Sequence, residues 1–367
     1  MRLVLIASIA FSLILISCSD RSDQTGSNNV PQEHDSLVTL EVVDSIGVEL
    51  GDSNYVFGSI RAIDRGPHGE ILILDNVKHC ILAYSSQGEF IEQIGRYGHG
   101  PGEFGSASFF VVLGDGSICV DDENGWLRFD PNWEYIDSRE VSSANLMETV
   151  STGQRQIVGV ESIFGNTDGN LSVTKNVTLW SDSTPGNPDQ VYFKQVYPVD
   201  QPNDIYVVDF NPMIFTADGT HVYIAPEPQK SPLVYVFALD GSPMDTLEMD
   251  YPEIEKTQQE IEEEIEFYET RVLTTTSGER QVDWEPVPYR DMIRSLGVDN
   301  LGRLWVQRGF ELSPSFDVFD PVSHDHLFMA SIENREDAED WRFDVSEHGI
   351  VAYTEDPSMY YKVYLID

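Results

Sequence analysis

One short motif recurs five times along this chain, and it restricts the possible folds more than any other feature. A loop bearing Gly, Asn or Asp is followed by a β-rich run at 67–75 (PHGEILILD), 114–121 (GDGSICVD), 217–224 (ADGTHVYI), 299–306 (DNLGRLWV) and 346–353 (SEHGIVAY). Asp-Gly and related pairs supply the positive φ of a tight hairpin, so each copy reads as strand, turn, strand. A second element follows most copies: an aromatic, a polar turn and another β run, as at 84–91 (YSSQGEFI), 129–136 (FDPNWEYI), 237–244 (FALDGSPM) and 319–323 (FDPVS). Each unit therefore carries four strands. Units of roughly 40 to 50 residues built as four-stranded antiparallel meanders cannot bury their faces alone, and radial stacking into a β-propeller is the arrangement that buries them.

The ends of the chain set the count. Blades are expected at about 57–95, 104–140, 146–198, 205–250 and 290–332, leaving 341–366 with three strands. The missing strand is expected from the start of the chain, where Leu37 to Gly47 alternates and ends in Ile-Gly as Phe90 to Gly95 does. Pairing it with the last blade would close a ring of six and remove exposed sheet edges. The segment 251–292 breaks the pattern. Pro252 opens a run with Ile254, Ile261, Ile265, Tyr268 and Val272 at near-helical spacing, which predicts an amphipathic helix inserted between blades four and five.

Ile94-Gly95-Arg96-Tyr97-Gly98-His99-Gly100-Pro101-Gly102-Glu103-Phe104, with Asp75-Asn76 and Tyr84 before it, resembles an NHL repeat: an outer strand ending in Ile-Gly and a crossing loop of the form Gly-x-Gly-Pro-Gly-Glu-Phe. More broadly the chain resembles the six-bladed β-propeller lipoproteins of Bacteroidetes-type bacteria. The likeness is carried chiefly by 57–140, less by 205–250 and 290–366, and least by 141–200. It implies an all-β, six-bladed propeller of four-stranded antiparallel blades, placed outside the cytoplasm.

The N-terminus agrees with that placement. Arg2 precedes an apolar stretch from Leu3 to Ile16 that is shorter than the roughly 20 residues a spanning helix needs, so 1–17 reads as a signal peptide. Leu15-Ile16-Ser17-Cys18 resembles a lipobox, which makes Cys18 the expected lipidation site and first mature residue. Several acyl chains anchor far more firmly than one, at about 0.8 kcal/mol per buried CH₂. Residues 18–36 are polar and rich in Ser, Asn, Gln and Asp, as a flexible tether would be, leaving 37–367 for the propeller. With 22 Lys and Arg against 63 Asp and Glu, the net charge of −41 opposes binding to nucleic-acid phosphates and to anionic membrane surfaces. Contact with a membrane is expected through the lipid anchor only, and no nucleic-acid partner is expected.

Propellers place polar groups at the mouth formed by interblade crossings and by the turns joining second and third strands. That geometry nominates Asp75, Asn76, Arg96, Tyr97, His99, Asp121, Asp122, Glu123 and Arg308 as mouth residues for binding a protein, peptide or glycan. The function expected is a non-catalytic binding or scaffolding module. The alternative is a metal-dependent hydrolase or lyase acting in the central channel, because some NHL-type propellers are zinc-dependent lyases and other six-bladed propellers are calcium-dependent lactonases. The chain departs from both. Its eight histidines fall mostly in turns or the tether, and His324-x-His326 is the one close pair, where catalytic zinc generally needs three protein ligands. No cofactor is expected; calcium at Asp121-Asp122-Glu123-Asn124-Gly125 is the one candidate, although this run lacks the spacing of an EF-hand loop. There is no Gly-x-Ser-x-Gly elbow and no phosphate loop, and the glycines of 95–102 lead into a strand instead of the helix N-terminus an anion would use. Cys80 and Cys119 are expected as two buried structural thiols, with a disulfide between them as the alternative.

Overall fold

The structure, a computed structural model, describes residues 36–367 apart from 124, 140–144, 168–169, 182–187, 199–212, 227–230, 270–271, 276–277, 282–285, 334, 336–337 and 355–358. The signal peptide, Cys18, all but the last residue of the tether, and Asn124 therefore lie outside the described residues.

Two N-terminal strands, β1 (Leu37–Leu40) and β2 (Val42–Ile46), precede the first blade. Blade one comprises β3 (Ile60–Arg65), β4 (Ile71–Asp75), β5 (Cys80–Tyr84) and β6 (Phe90–Ile94). Blade two comprises β7 (Phe109–Val112), β8 (Ile118–Asp122), β9 (Gly125–Phe129) and β10 (Tyr135–Arg139). Blade three has longer strands, β11 (Asn145–Ser151), β12 (Gln156–Thr167), β13 (Asn170–Ser181) and β14 (Gln190–Pro198). Blade four is β15 (Ile214–Ala217), β16 (His221–Ala225), β17 (Leu233–Ala238) and β18 (Pro243–Glu248). An insertion follows, with helix α1 (Gln258–Glu269) and a hairpin of β19 (Val272–Thr275) and β20 (Gly278–Gln281). Blade five is β21 (Ile293–Val298), β22 (Leu304–Arg308), β23 (Ser315–Phe319) and β24 (His326–Ile332), and blade six has β25 (Trp341–Ser346), β26 (Gly349–Thr354) and β27 (Val363–Ile366). Within each blade the consecutive strands form an antiparallel meander, and the first strands meet in turn around a ring that closes from β25 back to β3.

The apolar pattern explains the stacking. Among the described residues the buried side chains fall into six clusters, one at each blade interface. Successive strand residues point to opposite faces. In β4, accordingly, Leu72 and Leu74 pack toward blade two, while Ile71 and Ile73 pack toward blade six. A second strand buried on both faces has to be continuously apolar, which is why Ile-Leu-Ile-Leu stands there in place of an alternating sequence. Cys80 and Cys119 sit in different clusters, the first between blades six and one and the second between blades two and three.

Two expectations need correction. The stretch from Leu37 to Gly47 does not pair wholly with the last blade. Only β2 does so, antiparallel to β27, while β1 joins blade five as a fifth strand, parallel to β24 through Leu37↔Met329 to Leu40↔Ile332. Because β27 offers only four residues, the upstream half runs on to the neighbouring blade, and Glu41 marks the crossing by exchanging two backbone hydrogen bonds with Asp367. The helix also starts later than Pro252. Lys256 N donates to Pro288 O and Arg290 N to Ile254 O, which holds the upstream residues extended. Thr257 then caps the helix: its Oγ1 accepts from Glu260 N at 3.2 Å, and Glu260 Oε2 accepts from Thr257 N at 2.7 Å. This reciprocal pair is a capping box, and Glu260 is further held by Arg290 Nε at 2.7 Å. Val272 lies beyond the helix, opening β19.

Candidate functional site

In each antiparallel blade the end of the second strand, the start of the third and the crossing to the next blade lie at one face of the ring, called here the upper face. The stretch of this face between blades one and two carries Asp75, Asn76, the 95–104 crossing loop and Asp121 to Glu123. Asp75, the last residue of β4, is fully buried and gathers four backbone amides: Gly58 N at 2.7 Å on Oδ2, and Ser59, Val77 and Lys78 N at 3.2, 3.1 and 3.0 Å on Oδ1. Asp122 holds the matching place in blade two and accepts from Ser106 N at 2.9 Å. Asp75 therefore ties the entry of its blade's first strand to the turn after its second, and Asp122 ties the entry of blade two to the end of β8. Asp121 points to the other face of β8, where burial and then the charge of Asp122 push it up to about 6. Asn76 is exposed in the turn after Asp75.

The crossing loop is braced from within. Arg96 Nη2 and Nε reach Glu103 Oε1 at 2.7 and 2.9 Å, and Glu103 Oε2 accepts from Gly100 N at 2.9 Å. The Gly100 amide and Arg96 together hold the Glu103 carboxyl below its usual range. Phe104 N donates to Arg96 O at 2.8 Å and Gly98 N to Phe104 O at 3.1 Å, folding the glycine-rich stretch back on itself. At Gly95, whose φ is +77°, an added Cβ would stand 2.6 Å from Phe104 Cζ, so the fully buried Phe104 ring requires glycine there.

On this brace stands Tyr97, 66% exposed. Its ring meets the edge of His79 at 4.7 Å between centroids and that of His99 at 6.3 Å. His99 Nδ1 lies 3.3 Å from Glu123 Oε1, and Gly105 leaves room for that carboxylate, since a Cβ there would come within 2.2 Å of it. His79 closes the turn of 76–79 with φ +55°, a conformation uncommon for a residue with a side chain, and its buried Nδ1 has no hydrogen-bond partner. The structure thus brings Arg96, Tyr97, His99 and Glu123 together, adds His79, and sets Asp75 and Asp122 beneath them as braces. His79 was not among the residues nominated from sequence; its position at the end of a four-residue turn between two buried strands was the available signal.

Arg308 belongs to a different cluster, at the root of the insertion. Its Nε and Nη2 grip Asp317 Oδ2 and Oδ1 at 2.8 and 2.9 Å. Tyr251 Oη also donates to Asp317, and His326 Nε2 approaches it at 2.8 Å. Burial alone would raise the Asp317 carboxyl, but the hydrogen bonds from Arg308 and Tyr251 outweigh it and hold the group below its ordinary value. His324, the partner in the close histidine pair, instead contacts Asp245 of blade four at 2.7 Å. Among the described residues, no three His, Cys, Asp or Glu side chains gather as metal ligands would, and no helix is long and apolar enough to cross a membrane.

A family described as 6-bladed beta-propeller, DUF5128, matches residues 39–224. No curated protein matches the chain. Among solved structures, a candidate exported protein of Bacteroides fragilis is 11% identical, with 90% of this chain and 99% of that chain covered at a TM-score of 0.47. A member of the duf4221 family from Bacteroides vulgatus is 10% identical over 89% and 97% of the two chains at 0.48. A gluconolactonase from Xanthomonas campestris is 13% identical over 89% and 98% at 0.41. These likenesses assign no activity to the chain.

Proposed function

Since this chain belongs to the 6-bladed beta-propeller family DUF5128, a fold that hosts many unrelated functions, we propose from its own residues that it is an exported, lipid-anchored binding module. Its upper face between blades one and two engages a protein, peptide or glycan outside the cytoplasm. The observation that carries this reading is the exposed Tyr97 ring, flanked by the imidazoles of His79 and His99 and by the Glu123 carboxylate, on a loop held rigid by Arg96 and Glu103. An aromatic side chain presents a large apolar face with few torsions to immobilise, and the neighbouring imidazoles and carboxylate supply donors and acceptors to orient what stacks on it. Asp75 and Asp122 beneath the ring are committed to backbone amides, which suits a supporting frame. Anchoring through Cys18 is supported by the apolar leader that ends at Leu15-Ile16-Ser17-Cys18 and by the polar segment that follows.

The test is binding of the purified full-length protein to an array of defined glycans and peptides. Tyr97→Ala should abolish whatever signal the wild type gives, and Gln87→Ala, in an exposed turn of the opposite face, should leave it intact. A signal indifferent to Tyr97 would refute the assignment of the surface. Stoichiometric zinc or calcium retained in the channel after dialysis would replace this reading with that of a metal-dependent hydrolase or lyase. Palmitate labelling that persists in Cys18→Ser would refute Cys18 as the lipidation site.

A further inference from the structure

The last and first blades meet around the channel at three charged side chains that the proposed binding surface does not use. Asp64 is the fifth residue of β3 and Asp344 the fourth of β25, so both belong to the innermost strands at which the ring closes. Asp64 Oδ2 accepts from Val112 N of β7 at 2.7 Å and Oδ1 from Arg65 N at 2.7 Å, so the carboxyl also touches blade two. Arg65 spans the seam: its Nη2 donates to His348 O of blade six at 3.0 Å and to Gly69 O of its own blade at 3.2 Å. Two atoms here are buried without any hydrogen bond, Asp344 Oδ2 and Arg65 Nε.

The surrounding charges do not complete the site. Glu70, in the turn after β3, acts on Arg65, but its Oε2 is engaged by His68 N at 3.0 Å. The His348 ring faces Glu347 at 3.6 Å. β7 brings only Phe109, Phe110, Val111 and Val112. An ionised Asp344 therefore keeps a buried oxygen with no donor to satisfy it, close enough to Asp64 for the two charges to repel. Burial, reinforced by Asp344, pushes Asp64 up to about 7, and burial pushes Asp344 up to about 6 against the attraction of Arg65.

We propose that protonation of the Asp64–Asp344 pair locks the ring between its last and first blades, and that loss of the proton as pH rises loosens this seam ahead of the other five interfaces. The sign is opposite to that of most carboxylates. Because the folded pair holds its proton more tightly than the unfolded chain does, the stabilisation is complete below about pH 4 and is lost as pH rises through about 6 to 7.

Hydrogen exchange of the full-length protein, read by mass spectrometry at about pH 5.5 and about pH 8 with intrinsic exchange rates divided out, tests this. Peptides covering β3 and β25 should exchange roughly tenfold faster at the higher pH, the equivalent of one unit of proton affinity, while those covering β16 and β17 should not change. Asp344→Asn, which removes one titrating group and its repulsion of Asp64, should shrink the difference, and the Asp64→Asn/Asp344→Asn double variant should abolish it. Uniform exchange across all blades in the wild type would overturn the proposal even if a variant failed to fold, and so would a pH response of wild-type size that persists in a folded Asp64→Asn/Asp344→Asn protein.

Discussion

Replacing Asp75 should show that a carboxylate at the mouth of this ring works as a brace, and the structure fixes the expected size of the effect. Its two oxygens are divided unequally, with Oδ1 serving Ser59, Val77 and Lys78 and Oδ2 serving Gly58. Asp75→Ala strands all four amides. A buried unsatisfied donor costs about 1–3 kcal/mol, and because the vacated space sits under a turn that water can reach, the low end applies, for a total of about 4 kcal/mol. Asp75→Asn keeps Oδ1 and sets an NH₂ group against Gly58 N alone, so its loss should be about 1–2 kcal/mol. At about 2 °C of melting temperature per kcal/mol for a chain of this length, the expected falls are about 8 °C for Ala and about 2–4 °C for Asn. Thermal unfolding by calorimetry at neutral pH measures both. An Ala variant melting within about 2 °C of wild type would refute the brace. Equal losses in Ala and Asn would show that the charge matters and the division of acceptors does not.

Gly95→Ala combines a Cβ at φ +77° with a 2.6 Å approach to Phe104 Cζ, and should cost about 2–4 kcal/mol, seen as a lower urea midpoint with an unchanged slope; an unshifted midpoint would mean that the loop does not depend on this packing. Asp317 titrates below its ordinary range, so its contribution is present above the unfolded value near 4 and is lost as pH falls through the folded one. Asp317→Asn should accordingly melt lower than wild type at pH 7 by several degrees, with the gap narrowing toward pH 3, and a gap of constant size would contradict the ion-pair account.

The architecture was legible because hairpin chemistry and buried strands leave local marks. Asp-Gly turns and the unbroken Ile71 to Leu74 run declare a strand covered on both faces, and the Ile-Gly ending marks the outer strand. What could not be read was anything that depends on where a side chain turns. Nothing local distinguishes an Asp that faces solvent from one that turns back on the amides of Gly58 and Ser59, so sequence alone points Asp75 and Asp122 to the mouth without showing that their carboxylates bond backbone amides. Arg308 was placed at the mouth because it ends a second strand, but its partner Asp317 also engages Tyr251 across 66 residues of sequence, a distance over which no pattern operates. The helix start was available in principle, since Thr257-x-x-Glu260 spells a capping box, but the wider apolar spacing drew the boundary back to Pro252. The division of residues 37–46 between two blades reflects the shortness of β27, which becomes apparent only once the last blade is built.

That division also governs the order in which the molecule can be completed. The strands formed by the first residues of the ring have no partners until the last residues exist: Leu37 to Leu40 wait for Met329 to Ile332, and Val42 to Ile46 for Val363 to Ile366. Blades one to five can assemble their meanders from local contacts as the chain emerges, but closure requires contacts separated by nearly the whole sequence, the slowest kind to form. Loss of β27 would leave β2 without its partner, so the ring closes only on a chain that carries both its first strands and its last one.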